Sequence, residues 1–195
     1  MNKRVILITG TPCVGKTTLA HQLSKQLNAA YINLTELAKK ENLTTGEDKK
    51  RKTIIINEAK MRRKIRTIID KTDNANVIID GHYAAAVVPK SHVTRIFVLR
   101  RNPVELRAFM EKSGFQEAKL WENLASEILD VCLVEALGKQ GKEKVCELDV
   151  TGKPVGDVAN EVIAVLDSRK RCRAGGIDWL GMLEREGVLS EYLRA

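Results

Sequence analysis

Aromatic residues are scarce in this chain: Phe, Trp and Tyr make up 4% of its 195 residues. It carries only four prolines, four cysteines and three histidines. No apolar run approaches the roughly 20 residues of a membrane-spanning helix, so no membrane partner is expected. The first apolar segment, Val5 to Ile8, is too short for the apolar region of a signal peptide. No small-residue cleavage site follows it before the next motif, and the expected location is the cytoplasm. The cysteines are Cys13, Cys132, Cys146 and Cys172. They form no Cys-x-x-Cys pair and no Cys/His zinc spacing, which predicts four reduced thiols. Internal repeats and low-complexity tracts are also lacking, and the length suits one domain, or one domain with small appendages.

Charge is abundant. Hydrophobic residues are 44% and charged residues 30% of the chain, with 33 Lys and Arg against 25 Asp and Glu, a net charge of +8. That balance suits a protein that handles phosphates or RNA, without separating the two.

The strongest motif lies near the N-terminus. The apolar run Val5-Ile6-Leu7-Ile8 leads into Gly10-Thr11-Pro12-Cys13-Val14-Gly15-Lys16-Thr17-Thr18, which reads GxxxxGKT. Leu19, Ala20, Leu23 and Leu27 follow at helical spacing. Strand, glycine loop and helix form the context of a phosphate-binding P-loop. Backbone N–H groups line the loop, and the helix start adds a partial positive charge. Lys16 is expected to reach the outer phosphates of ATP and the Thr17 hydroxyl to ligate Mg²⁺.

Four more strand segments follow: Tyr31 to Leu34, Asn76 to Asp80, Arg95 to Leu99 and Val145 to Val150. Alternation with helical segments predicts an α/β fold with a five-stranded parallel sheet and helices on both faces. Thr35 is expected to cap a helix, a polar loop to run from Glu41 to Lys52, and Asn57 to cap a further helix. Nine Lys or Arg fall between Lys49 and Arg66, with Glu58 as the opposing acid. An ordinary solvated face mixes both signs, so this run is a candidate phosphate or RNA contact. Asp80 ends a buried strand, where it is expected to hold Mg²⁺ beside the P-loop. His82 follows at the same sheet edge, placed to orient or deprotonate a water or hydroxyl. Arg100 is expected to point at the phosphates as a bidentate donor. Pro103 starts a helix that Gly114 breaks, and a second helix is predicted from Gln116 to about Leu137. This helix–break–helix is the expected position of a lid. After a closing helix from Val155 to Leu166, residues 169–195 read as a basic linker and short helical extension, outside a core of residues 1–168.

Taken in order, these motifs resemble the adenylate kinase isoenzyme 6 family. That family includes archaeal adenylate kinases and eukaryotic nuclear ATPases linked to small-subunit ribosome assembly. The carriers are GTPCVGKTTLA from Gly10 to Ala20, YIN from Tyr31 to Asn33, IIDGH from Ile78 to His82 and FVLRRNP from Phe97 to Pro103. The resemblance implies a P-loop nucleoside monophosphate kinase fold with a monophosphate-binding insert at about residues 30–53 and a lid at about residues 112–122. It implies transfer from ATP to AMP giving two ADP, with ATPase activity and a link to rRNA maturation. The alternative is an ATP-switched assembly factor that binds a small-subunit ribosomal protein or rRNA, with little kinase turnover. ATP would lie on Gly10, on Cys13 through Thr18 and near Lys153. Thr17 and Asp80 would support Mg²⁺, and His82 would orient water. Asn33 and Thr35 are the candidate acceptor contacts, and Lys112 and Ser113 the candidate lid contacts. Two positions depart from the family: Cys13 stands where glycine is usual, and Ser113 where an arginine usually reaches the ATP phosphates.

Overall fold

The computed structural model describes residues 3–48 and 53–193. In chain order the elements are β1 (Arg4–Thr9), α1 (Lys16–Gln26), β2 (Ala30–Asn33), α2 (Leu34–Lys40), β3 (Thr44–Asp48), β4 (Thr53–Ile56), α3 (Glu58–Lys71), β5 (Asn76–Asp80), α4 (Ala84–Val87), β6 (Val93–Arg100), α5 (Pro103–Lys112), α6 (Glu117–Ile128), α7 (Val131–Gln140), β7 (Val145–Asp149), α8 (Val155–Leu166), α9 (Trp179–Arg185) and α10 (Leu189–Tyr192).

Five strands form one parallel sheet in the order β2-β5-β1-β6-β7. Successive side chains of a strand face opposite sides, and both sides are covered here. Ile6 and Ile8 of β1 join Ile78, Phe97 and Leu99 on one face, beneath α1, α5, α6 and α8. Val5 and Leu7 join Val77, Ile79, Ile96 and Val98 on the other, beneath α3, α4 and α7. This explains the unbroken apolar runs of β1 and β5, which have no solvent face. The chain leaves β1 toward β2 and β5 on one side and reaches β6 and β7 on the other. The loop after β1 therefore opens at the point where strand order reverses, the usual ligand crevice of such sheets.

Local chemistry sets the helix starts. Asn57 accepts from the Lys60 N–H at 3.0 Å and Asn102 from the Val104 N–H at 2.8 Å, capping α3 and α5 as side-chain acceptors do. The cap of α2 is Asn33, which accepts from the Glu36 N–H at 3.0 Å, rather than Thr35. The expected loop after Glu41 contains a hairpin, with β3 and β4 antiparallel and a register shift between Thr44 and Gly46. The β-branched residues that flank the charged run favour strands. The first four members of the basic run, Lys49 to Lys52, lie outside the described residues.

Two more expectations are corrected. The long helix from Gln116 is two helices, α6 and α7, divided at Asp130, whose φ of 57° is left-handed. That turn brings the Asp130 carboxylate onto Arg100, 2.5 Å from Nη2. Cys146 and Cys172 form a disulfide, which leaves Cys13 and Cys132 as the free thiols. Their separation of 26 residues hid the pairing, because a parallel edge strand and the segment after α8 meet only in the folded chain. Beyond the disulfide the chain folds back on α6, burying Trp179, Leu183 and Tyr192.

Candidate active site

The P-loop bends sharply between β1 and α1. Gly10 has a φ of 137°, and a Cβ there would meet the Leu99 carbonyl oxygen at 2.5 Å, so only glycine fits against β6. Gly15 is left-handed with a φ of 104° and starts α1. Cys13 also has a positive φ, 67°, a conformation that costs an ordinary side chain about 1–2 kcal/mol relative to glycine. The departure at this position is therefore a matter of backbone conformation.

Four charged or polar side chains converge on the α1 end of the loop. Lys16 donates from Nζ to the Thr11 carbonyl at 2.8 Å. Burial pushes the Lys16 pKa down, while Cys132, Asp80, Cys13 and Glu127 pull it back up. Thr17 donates from its hydroxyl to Asp80 Oδ2 at 2.7 Å, and Asp80 is buried. Tyr31 donates to the other oxygen, Oδ1, at 3.1 Å. Burial raises the Tyr31 pKa to about 12, so it keeps its proton and remains the donor. Mg²⁺ takes one or two protein oxygens and completes its shell with water and phosphate. Thr17 and Asp80 fit that ion: both oxygens are hard donors, adjacent, and held at the mouth of the phosphate loop.

His82 stands at the same edge, its carbonyl fixed by the Thr9 hydroxyl at 3.1 Å. The residue is exposed, with Lys16 and Lys119 near enough to act on its charge. Desolvation first, then the positive charges of Lys16 and Lys119, lower its pKa to about 4. Histidine is therefore neutral here at pH 7 and offers an acceptor nitrogen.

Arg100 lies elsewhere. Its side chain is 1% exposed and turned away from the P-loop. Nε donates to Glu127 at 2.9 Å, Nη1 to Glu147 at 2.5 Å, and Nη2 to Asp130 and to the Glu127 carbonyl. Burial alone would lower its pKa, but the three carboxylates outweigh it and raise it. A buried guanidinium that gives four of its five N–H groups to these partners is committed to the protein rather than to ATP, which corrects the expectation for Arg100.

The next residue lies on the P-loop side. Arg101 Nη2 donates to the Val14 carbonyl at 3.3 Å, and its guanidinium lies 4.8 Å from the Phe109 ring centre. Its buried Nε has no partner among the described residues. Arg101 and Phe109 line a cavity of about 250 Å³ with Cys13, Val14, Gly15, Thr18 and Lys153. Lys153 is thus near the loop, though its Nζ pairs with Glu161 at 2.9 Å.

The remaining candidates are spread along the crevice rim. Asn33 donates to the Tyr31 hydroxyl at 3.4 Å, and Thr35 lies near enough to Tyr83 to offset part of the rise that burial gives the Tyr83 pKa. Lys112 and Ser113 are exposed at the end of α5. The Ser113 hydroxyl donates to the Phe109 carbonyl at 2.8 Å, so it closes its own helix. Of the basic residues on α3, Arg62 donates to the Ala86 carbonyl at 2.7 Å, Lys64 pairs with Glu41 at 2.9 Å and Arg66 with Asp70 at 3.9 Å. The sequence reading missed Tyr31 as an Asp80 partner, Arg101 as the loop-facing arginine, and Glu127, a buried acid among the apolar positions of α6. Their only sequence signals are a polar residue at a helix position that periodicity assigns to the core, and the doubled Arg100-Arg101.

Residues 6–130 match the family model described as AAA domain. The chain is 37% identical over 174 residues to the putative adenylate kinase of Methanocaldococcus jannaschii, covering 89% of this chain and 92% of that protein. It is 33% identical over 190 residues to the protein of the same name from Pyrococcus furiosus, covering 97% of both. In three dimensions it resembles thymidylate kinase from Candida albicans, with a TM-score of 0.55 at 16% identity, over 86% of this chain and 92% of that one. Shikimate kinase from Bacteroides thetaiotaomicron superimposes with a TM-score of 0.51 at 16% identity, over 84% and 98% of the two chains. These two structures share the P-loop kinase fold. On the sequence matches, the chain belongs to the family of archaeal proteins named putative adenylate kinase and is a nucleotide kinase of the P-loop class.

Proposed function

We propose that this protein transfers the terminal phosphoryl group of ATP to AMP, giving two ADP, and hydrolyses ATP slowly when no acceptor is bound. The observation that carries this reading is the joined set of Lys16, Thr17 and Asp80 at the mouth of the P-loop. Phosphoryl transfer needs little covalent chemistry from a protein; positioning and charge stabilisation supply most of it. Lys16 moves from the Thr11 carbonyl to the outer phosphates. Thr17 and Asp80 would hold Mg²⁺, which would supply positive charge to offset that of the phosphates. Arg101 brings its unpartnered Nε and the Phe109 ring to the cavity beside the loop, where the nucleoside of ATP fits. Asn33 and Thr35 face the acceptor, and Lys112 and Ser113 belong to a lid. The attacking atom is an ionised phosphate oxygen of AMP, which needs no base; neutral His82 accepts a hydrogen bond from water when no acceptor is bound. Water held there accounts for the slow ATPase reaction. A cytoplasmic setting agrees with ATP as substrate.

The test is ADP production from ATP with Mg²⁺, alone and with each of AMP, CMP, GMP and UMP. ADP formation should depend on AMP, with a minor rate from ATP alone. If no monophosphate raises it above the rate with ATP alone, the kinase reading fails.

The exposed cations Lys60 and Arg63 on α3 favour a second reading, an ATP-switched factor for small-subunit rRNA maturation that contacts rRNA or a ribosomal protein. That reading expects acceptor-independent phosphate release stimulated by rRNA, and RNA binding that weakens as salt rises. Binding that is absent or independent of salt overturns it.

A further inference from the structure

The P-loop is held from behind by the far end of the chain. Thr11 is 1% exposed, and its hydroxyl donates to Glu127 Oε2 at 2.5 Å. Glu127, also 1% exposed, receives three more donors on Oε1: Arg100 Nε at 2.9 Å, the Arg101 N–H at 3.1 Å and the indole N–H of Trp179 at 3.1 Å. A buried carboxylate is costly unless its oxygens are filled, so these donors hold its position closely. The Thr11 carbonyl is in turn the acceptor for Lys16 Nζ at 2.8 Å. The tail enters the same network a second time: Gly175 and Gly176 N–H donate to Glu147 Oε2 at 2.8 and 2.9 Å, and Glu147 Oε1 accepts from Arg100.

We propose that the C-terminal segment is a working part of the phosphate site: Trp179 fixes Glu127, and Glu127 fixes Thr11 and so the resting place of Lys16. Glu127 and Trp179 are positioning residues, since neither reaches the mouth of the loop. This rests on the reading that the P-loop binds ATP. It follows that residues beyond the nucleotide-binding core tune nucleotide affinity. By linkage, ATP must also steady the tail.

The test compares the full chain with Thr11→Val, Thr11→Ser, Trp179→Phe and the double variant Thr11→Val/Trp179→Phe. ATP and ADP affinities are measured by calorimetry, well below each variant's Tm. Thr11→Val should weaken ATP about tenfold, about 1.4 kcal/mol, with Thr11→Ser close to the wild type. Trp179→Phe keeps the ring and removes the donor; it should weaken ATP about threefold, about 0.65 kcal/mol. The double variant should be weaker by less than the product of the two, because both act through one carboxylate. A purely structural role would lower Tm and leave affinity unchanged. Should Trp179→Phe not fold, hydrogen exchange of the wild-type tail, residues 175–193, with and without ATP, answers the same question. Slower exchange with ATP supports the proposal. Affinities within twofold of the wild type for folded Thr11→Val or Trp179→Phe, or tail exchange indifferent to ATP, overturn it. Failure of the wild type to bind ATP is a separate result and sinks the underlying reading of the P-loop instead.

Discussion

Arg100 ends β6 with its guanidinium buried among Glu127, Asp130 and Glu147, whereas Arg101, one residue later, turns over the Phe109 ring and onto the Val14 carbonyl. Neighbouring residues in extended chain face opposite ways, and here the two ways lead to different environments. Behind the P-loop lies a largely buried network of carboxylates and donors, joined by the tail. In front lies the crevice, where Lys16, Thr17, Asp80 and His82 meet. Two neighbouring arginines thus divide between a buried carboxylate network and the cavity beside the P-loop. The general lesson is that a strand-end arginine cannot be given to a phosphate before its carboxylate neighbours are known.

The separation can be broken from the front first. Lys16→Ala should cut ATP turnover by at least about 10³-fold, measured as ADP release, with no fall in Tm because a desolvated cation is removed. Unchanged turnover would remove the phosphate site altogether. From behind, Arg100→Met removes the cation beside two buried carboxylates, Glu127 and Glu147, and should cost about 3–5 kcal/mol of stability, read from urea midpoints. A cost below about 1 kcal/mol would place this network with exposed ion pairs. Cys172→Ser opens the loop closed by the Cys146–Cys172 disulfide, and should cost about 2–4 kcal/mol without changing ATP affinity by more than the tail's contribution. Arg101→Met sharpens the contrast: ATP affinity should fall about tenfold, about 1.4 kcal/mol, with little loss of Tm. If Arg101→Met instead behaves as Arg100→Met does, front and back are not separate. The smallest effect concerns His82. Folding lowers its pKa from 6.5 to about 4, so the unfolded chain takes up the proton first. Stability is complete above pH 6.5 and declines as the pH falls toward 4. His82→Gln should therefore lose less stability than the wild type between pH 7 and pH 5, while wild-type turnover stays flat from pH 6 to pH 8.

Much of the fold was legible because its signals are local. The runs at β1 and β5 could only be buried strands. GxxxxGKT places Lys16 and Thr17 by spacing alone, and Asn57 and Pro103 mark their helices by side-chain chemistry. Asp80 was readable as a strand-end acid, and its distance to Thr17 of 2.7 Å follows from β1 and β5 lying side by side. The hairpin β3–β4 was obscured because charge interrupts its β-branched residues. The α6–α7 break was obscured because Asp130 fits a helix by periodicity and leaves it only to meet Arg100.

The sequence by itself determined the strand–loop–helix at the N-terminus, the alternation that makes a doubly covered parallel sheet, and the acid and histidine at its edge. These depend on residues within a few positions of one another. Tertiary structure alone decided which arginine lines the cavity beside the P-loop, which two cysteines join, and that Trp179 and Thr11 share one carboxylate. Glu127 lies 116 residues from Thr11 and 52 from Trp179. No local preference encodes such a meeting; it arises when burial forces each polar group to find a partner wherever the packed chain supplies one.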